Sequence, residues 1–136
     1  MHLLIWLQNK TRAEQIDSII TAELPNENID PELLNIVKSS MIHGPCGKIK
    51  PNACCMVDRK CSKNYPKKFL NDTQTGHDGY PLYKRRNPEN GGFETNINER
   101  GNVFSVDNRW VVPYSPLLCK IFNAHINVEL CNSISL

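Results

Sequence analysis

Residues 41–67 read Met41-Ile42-His43-Gly44-Pro45-Cys46-Gly47, then Lys48 through Cys54, then Cys55-Met56-Val57-Asp58-Arg59-Lys60-Cys61-Ser62-Lys63-Asn64-Tyr65-Pro66-Lys67. Periodic apolar patterning stops at the start of this stretch, and Pro, Lys, Asn and Cys take over. From 44 to about 79 little regular structure is expected, so something other than a core must hold the segment. Four of the chain's six Cys fall within sixteen residues here, beside His43. His43, Cys46, Cys55 and Cys61 have the spacing H-x2-C, eight residues, C-x5-C. Zinc takes four nitrogen or sulfur ligands in tetrahedral geometry, and thiolates bind it once deprotonated. A closed set of four side chains makes such an ion structural. Cys54 is an alternative to Cys55, and ordinary free thiols beside a helix-end His are the plain alternative to a metal site.

On the N-terminal side, residues 2–7 read as a strand and 8–10 as a turn. Thr11 and Glu14 fit a capping box, and Ile16, Ile19, Ile20 and Leu24 recur at helical spacing, so a helix is expected over 11–24. Asp30-Pro31 is a second helix start, an N-cap followed by proline at the first helical position. Leu33, Ile36, Val37 and Met41 make its buried stripe, and this helix is expected to run over 31–43. On the C-terminal side, 80–86 and 93–98 read as strands. Glu99-Arg100-Gly101-Asn102 is a turn with a returning strand at 103–106. Residues 109–114 are extended and 116–122 form a short helix. Ile126, Val128 and Leu130 alternate with His125, Asn127 and Glu129, the period of a half-buried strand. Trp6 and Trp110 are expected core anchors, and His77 a surface residue. The fold class expected is α+β: an antiparallel sheet with two N-terminal helices and a zinc-held, basic, irregular insertion over 43–69.

The 136 residues suit one domain with a modest core. Hydrophobic content is 40% and charged content 22%, ordinary for a globular chain. No apolar run approaches the ~20 residues that span a bilayer, and the short apolar opening lacks the basic region and cleavage site of a secretory signal. Net charge is only +2, but residues 48–86 carry ten basic and three acidic residues while both flanks are net acidic. Such a block is the footprint expected for phosphate contact, with a solvated basic loop as the plain alternative. Arg59, Lys60, Lys63, Lys67 and Lys68 interleave with Tyr65 and Phe69, a pattern in which cations meet phosphates and rings stack on unpaired bases. Arg85 and Arg86 extend the track. No GxxxxGK[ST] phosphate loop is present, so no ATPase motor is expected within the chain.

Together, residues 2–7, 41–47, 55–67, and 107–114 with 123–129 resemble, in order and spacing, the replication-initiator (HUH) nuclease domain of Helitron-type rolling-circle transposases, also described as a helicase-like N-terminal domain. The resemblance covers nearly the whole of residues 1–136. It implies a nuclear protein that nicks and transfers single-stranded DNA at transposon ends, working with a helicase domain of the same parent polypeptide. It implies a His-hydrophobic-His pair binding Mg²⁺ or Mn²⁺, and tyrosine nucleophiles on a later helix. His2 matches the second His of the pair and Met1 the hydrophobic slot. The first His is expected upstream and the nucleophilic tyrosine beyond Leu136, so catalysis by this chain alone is not expected and no catalytic residue is assigned. Tyr65, Tyr80, Tyr83 and Tyr114 do not match nucleophile positions. His125 and Glu129 share one face of the last strand and are candidates for a third ligand.

Overall fold

A computed structural model describes residues 12–75 and 80–131. The expected strand at 2–7, Trp6, His2 and His77 lie outside the described residues. The elements are helices α1 (Ala13–Ile19), α2 (Pro31–Ser40) and α3 (Pro116–Phe122), with strands β1 (Met56–Val57), β2 (Lys60–Cys61), β3 (Gln74–Thr75), β4 (Pro81–Leu82), β5 (Thr95–Glu99) and β6 (Asn102–Val106). The strands form three separate antiparallel pairs, β1–β2, β3–β4 and β5–β6. The architecture is thus mixed helix and strand, with small paired ribbons where one antiparallel sheet was expected. Among the described residues no helix is long and apolar enough to cross a membrane.

Helix α2 starts as its sequence dictates but ends at Ser40 rather than 43, because Ile42 pairs with Val111 as an antiparallel bridge. Asp30 caps it by accepting the Leu33 N–H at 3.1 Å, with Pro31 at the first position. Its stripe of Leu33, Ile36 and Val37, continued by Met41, is buried against Val111, Val112, Tyr114 and Cys119. Helix α3 starts on the Ser115 cap and occupies the expected residues. Helix α1 departs from expectation at both ends. Arg12 is its N-cap residue, and the Gln15 side chain accepts the Arg12 N–H at 3.1 Å. The helix stops at Ile19, and Ile20 turns extended. The run Ile19-Ile20-Thr21 is β-branched and loses rotamer freedom in a helix. Thr21 instead pairs with Tyr114 as an antiparallel bridge, while Ile16 and Ile20 still reach a small core with Ala22 and Tyr83.

Residues 124–131 keep the predicted alternation of exposed and half-buried positions without joining a strand. Val128 donates its N–H to the Pro113 carbonyl at 3.0 Å, and Leu130 donates to the Tyr83 hydroxyl at 2.8 Å. Proline has no N–H to return, so the ladder cannot be completed there.

A buried polar hub joins these pieces. Asn108 is fully buried. Its Oδ1 accepts the Leu24 N–H at 2.7 Å, and its Nδ2 donates to the Arg86 carbonyl at 2.9 Å and to Glu23 Oε2 at 3.3 Å. Glu23 in turn accepts both the Arg86 guanidinium and its backbone N–H. Arg85 is 5% exposed and donates to the carbonyls of Asn108 and Val111 at 2.7 and 2.6 Å. Replacing Asn108 by Ala strands a buried amide and carbonyl. Urea denaturation is expected to show a loss of about 2–4 kcal/mol, far beyond an ordinary surface substitution.

Candidate metal centre

Two arms of the chain meet to form the centre. The first arm leaves α2. Ile42 pairs with Val111, and the His43 N–H donates to the Trp110 carbonyl at 2.8 Å, which fixes the backbone on which His43 sits. Gly44 then reverses the chain with φ of +99°, and a Cβ there would fall 2.9 Å from the Trp110 ring. Only glycine meets both demands, and Cys46 follows directly.

The second arm is the β1–β2 hairpin. Met56 pairs with Cys61 and Val57 with Lys60. Asp58 and Arg59, with φ of 51° and 64°, form the two-residue turn. Positive φ at both central positions is the turn that matches strand twist. The Ser62 N–H donates to the Cys55 carbonyl at 2.7 Å, which closes the ribbon below the turn. The hairpin thereby folds a C-x5-C spacing into proximity, in a segment where sequence reasoning expected little regular structure. Neither turn residue is Gly or Asn, so the usual hairpin signal is missing.

The ligand atoms of His43, Cys46, Cys55 and Cys61 all lie within 4.8 Å of one another. His43 Nε2 is 3.7 Å from Cys46 Sγ and 3.3 Å from Cys61 Sγ. In a tetrahedral zinc site, with bonds of about 2.3 Å to sulfur and 2.0–2.1 Å to nitrogen, neighbouring ligand atoms stand roughly 3.5–3.8 Å apart. The donor set and its spacing therefore fit an ion such as zinc. Cys55, rather than the exposed Cys54, supplies the fourth ligand atom.

The surroundings tune these groups. Burial, with the fields of Lys63 and Lys67, holds the His43 imidazole below its ordinary pKa, which keeps it neutral and fit to ligate. Burial pushes the Cys46 thiol up to about 12 and raises Cys55 as well. Burial also opposes ionisation of Cys61, but the backbone of Tyr65 and Lys63 together with the Cys55 and Cys46 thiols outweighs it and lowers that thiol. Cys46 and Cys61 pack with Trp110 and Val106, and Tyr65 packs against them. The Tyr65 ring also stacks on His43 with centroids 4.2 Å apart. The sequence left Tyr65 as either a packing residue or a base-stacking partner, and it gave no sign of this contact, because nothing in the spacing links Tyr65 to His43.

The expected basic track divides. Arg59, Lys60, Lys63 and Lys68 are exposed, and among the described residues none of them forms an ion pair. Lys67 is half-buried, donates to the Lys63 carbonyl at 2.9 Å and lies 4.8 Å over the Tyr65 ring. Phe69 sits beneath the Arg109 guanidinium. Arg85 departs from expectation, since it is buried and donates to internal carbonyls, whereas Arg86 pairs with Glu23 while its side chain stays 37% exposed. His125 bonds the Ser40 carbonyl at the end of α2. Among the described residues neither His125 nor Glu129 belongs to a metal-ligating group.

Zinc loading of the reduced chain is expected at about one ion per chain, releasing about two to three protons per ion at neutral pH as Cys46 and Cys55 lose theirs. The Cys46 and Cys55 thiols of the ion-free chain are raised, so protons compete at these two ligands on the acid side and affinity climbs as pH rises. Chelator competition across neutral pH checks the slope, and Cys61→Ser is expected to lose the ion on desalting.

In comparison with known proteins, the chain matches no family model and no curated sequence, so its chemistry rests on the four-ligand geometry itself.

Proposed function

We propose that the chain is part of the replication-initiator nuclease region of a Helitron-type strand-transfer protein. In this reading its zinc-held segment offers a basic surface to single-stranded DNA. The observation that carries the reading is the coincidence of two features in residues 43–68. Four zinc-type ligands converge there, and Arg59, Lys60, Lys63 and Lys68 stand exposed, without carboxylate partners among the described residues, on the same hairpin and the loop after it. The ion holds an irregular segment in one shape, and that shape sets the spacing of the cations. Three thiolates against a divalent ion leave the centre with one net negative charge, so phosphate attraction falls to the lysines and arginine around it.

The ordered resemblance of residues 2–7, 41–47, 55–67, and 107–114 with 123–129 to the Helitron domain supports the wider assignment, including a nuclear setting and a helicase domain of the same parent polypeptide. His2 would then contribute one ligand to a magnesium or manganese ion that polarises the scissile phosphate in the intact parent domain. In this reading no residue among 1–136 is assigned as the partner His or the tyrosine nucleophile, and the role assigned to the zinc-held segment is to grip DNA.

Anisotropy of a labelled single-stranded oligonucleotide tests the surface. Affinity is expected to fall steeply with salt, and neutralising Arg59, Lys60 and Lys63 together should flatten the log–log slope by about two, at roughly 0.7 per phosphate contact. Arg86→Gln should leave that slope unchanged while lowering stability. A slope unaffected by the triple change removes the interface from these residues. Incubation with Mg²⁺ or Mn²⁺ is expected to give no nicked product, and nicking that survives His2→Ala takes the metal role away from His2.

A further inference from the structure

We propose that Cys55 is an oxidation site through which a peroxide-class oxidant opens the metal centre. The proposal rests on the reading that the four ligands hold zinc.

The three thiols differ in access. Cys46 is 2% exposed and Cys61 9% exposed, both beneath Trp110 and Tyr65. Cys55 is half-buried, packs against the same cluster from just before β1, and borders the exposed Cys54. An oxidant arriving from solvent therefore meets the Cys55 sulfur before the other two. Zinc-bound sulfur keeps thiolate character, which is the form that reacts with peroxide. Cys46 and Cys61 both hold their sulfur within 4.8 Å of it. A disulfide needs about 2.05 Å, so the remaining gap is closed by side-chain rotation and a small movement of the arms.

The chemistry balances with hydrogen peroxide as oxidant. The Cys55 thiolate attacks one peroxide oxygen, the O–O bond breaks, and hydroxide leaves, giving the sulfenic acid. The thiolate of Cys46 or Cys61 then attacks that sulfur, forms the S–S bond and expels a second hydroxide. Two thiolates are oxidised by two electrons in total and one peroxide is reduced. Two ligands are lost together, and His43 with one remaining thiolate cannot retain the ion against a chelator.

The test uses the zinc-loaded full chain with Cys54→Ser and Cys131→Ser, so that the exposed thiols do not compete. Hydrogen peroxide is added, zinc release is followed with a chromogenic chelator, and disulfides are located by peptide mapping. Stoichiometric release is expected, with Cys55 joined to Cys46 or Cys61. Cys55→His keeps four ligands and is expected to slow release at least tenfold. Release as fast from that variant, or a disulfide that excludes Cys55, overturns the proposal. Peptide mapping of the chain with Cys55 intact decides the matter if the histidine variant does not fold. A preparation that holds no zinc before peroxide is added sinks the metal reading, and this inference with it.

Discussion

The buried side chain of Asn108 ties together parts of the chain that no sheet connects. Its amide meets Leu24, Glu23 and Arg86, and its own carbonyl receives Arg85. No buried side-chain nitrogen or oxygen among the described residues, those of this hub included, lacks a partner. This matters because buried polar groups are worth little when satisfied and costly when orphaned. The hub therefore acts less as glue than as a selector: packings that misplace residues 23–24, 85–86 or 108 leave charged and amide groups stranded. The apolar clusters around α2 and around Ile16 can then form in one relative arrangement.

The thiol and imidazole cluster does the corresponding work where apolar side chains run out. A two-stranded hairpin alone is marginal in water, and the β1–β2 turn places two non-glycine residues at positive φ, each costing on the order of 1 kcal/mol. Packing of Cys61 with Trp110 and Val106 offsets part of that cost. An ion shared between the hairpin and the Gly44 arm would supply the rest, and would also lock the exposed cations of the ribbon to the body of the domain. The Trp110 region thus serves both systems, since its backbone receives His43 while Asn108, two residues earlier, anchors the hub.

Local chemistry was legible in the sequence and distant pairing was not. The Asp30-Pro31 start of α2, the Arg100-Gly101 turn and the ligand quartet each depend on residues close together or on side chains with few alternative uses. The end of α1 was not legible, because Thr21 leaves the helical pattern for Tyr114, far along the chain. The alternation over 124–131 was read correctly as burial, but Pro113 denies it the reciprocal bonds of a strand. Arg85 looked like part of the basic track because composition does not distinguish an arginine that faces solvent from one recruited by buried carbonyls. The hub itself leaves no periodic trace, since Asn108 reaches partners more than eighty positions away.

The contact between Gly44 and the Trp110 ring has an evolutionary corollary. A side chain at 44 would have to occupy volume that the indole already fills, on a backbone that disfavours it. Relatives of this chain should therefore change the two positions together, with a residue other than glycine at 44 accompanied by a smaller one at 110. Such paired drift would mark lineages in which the loop no longer presents its imidazole.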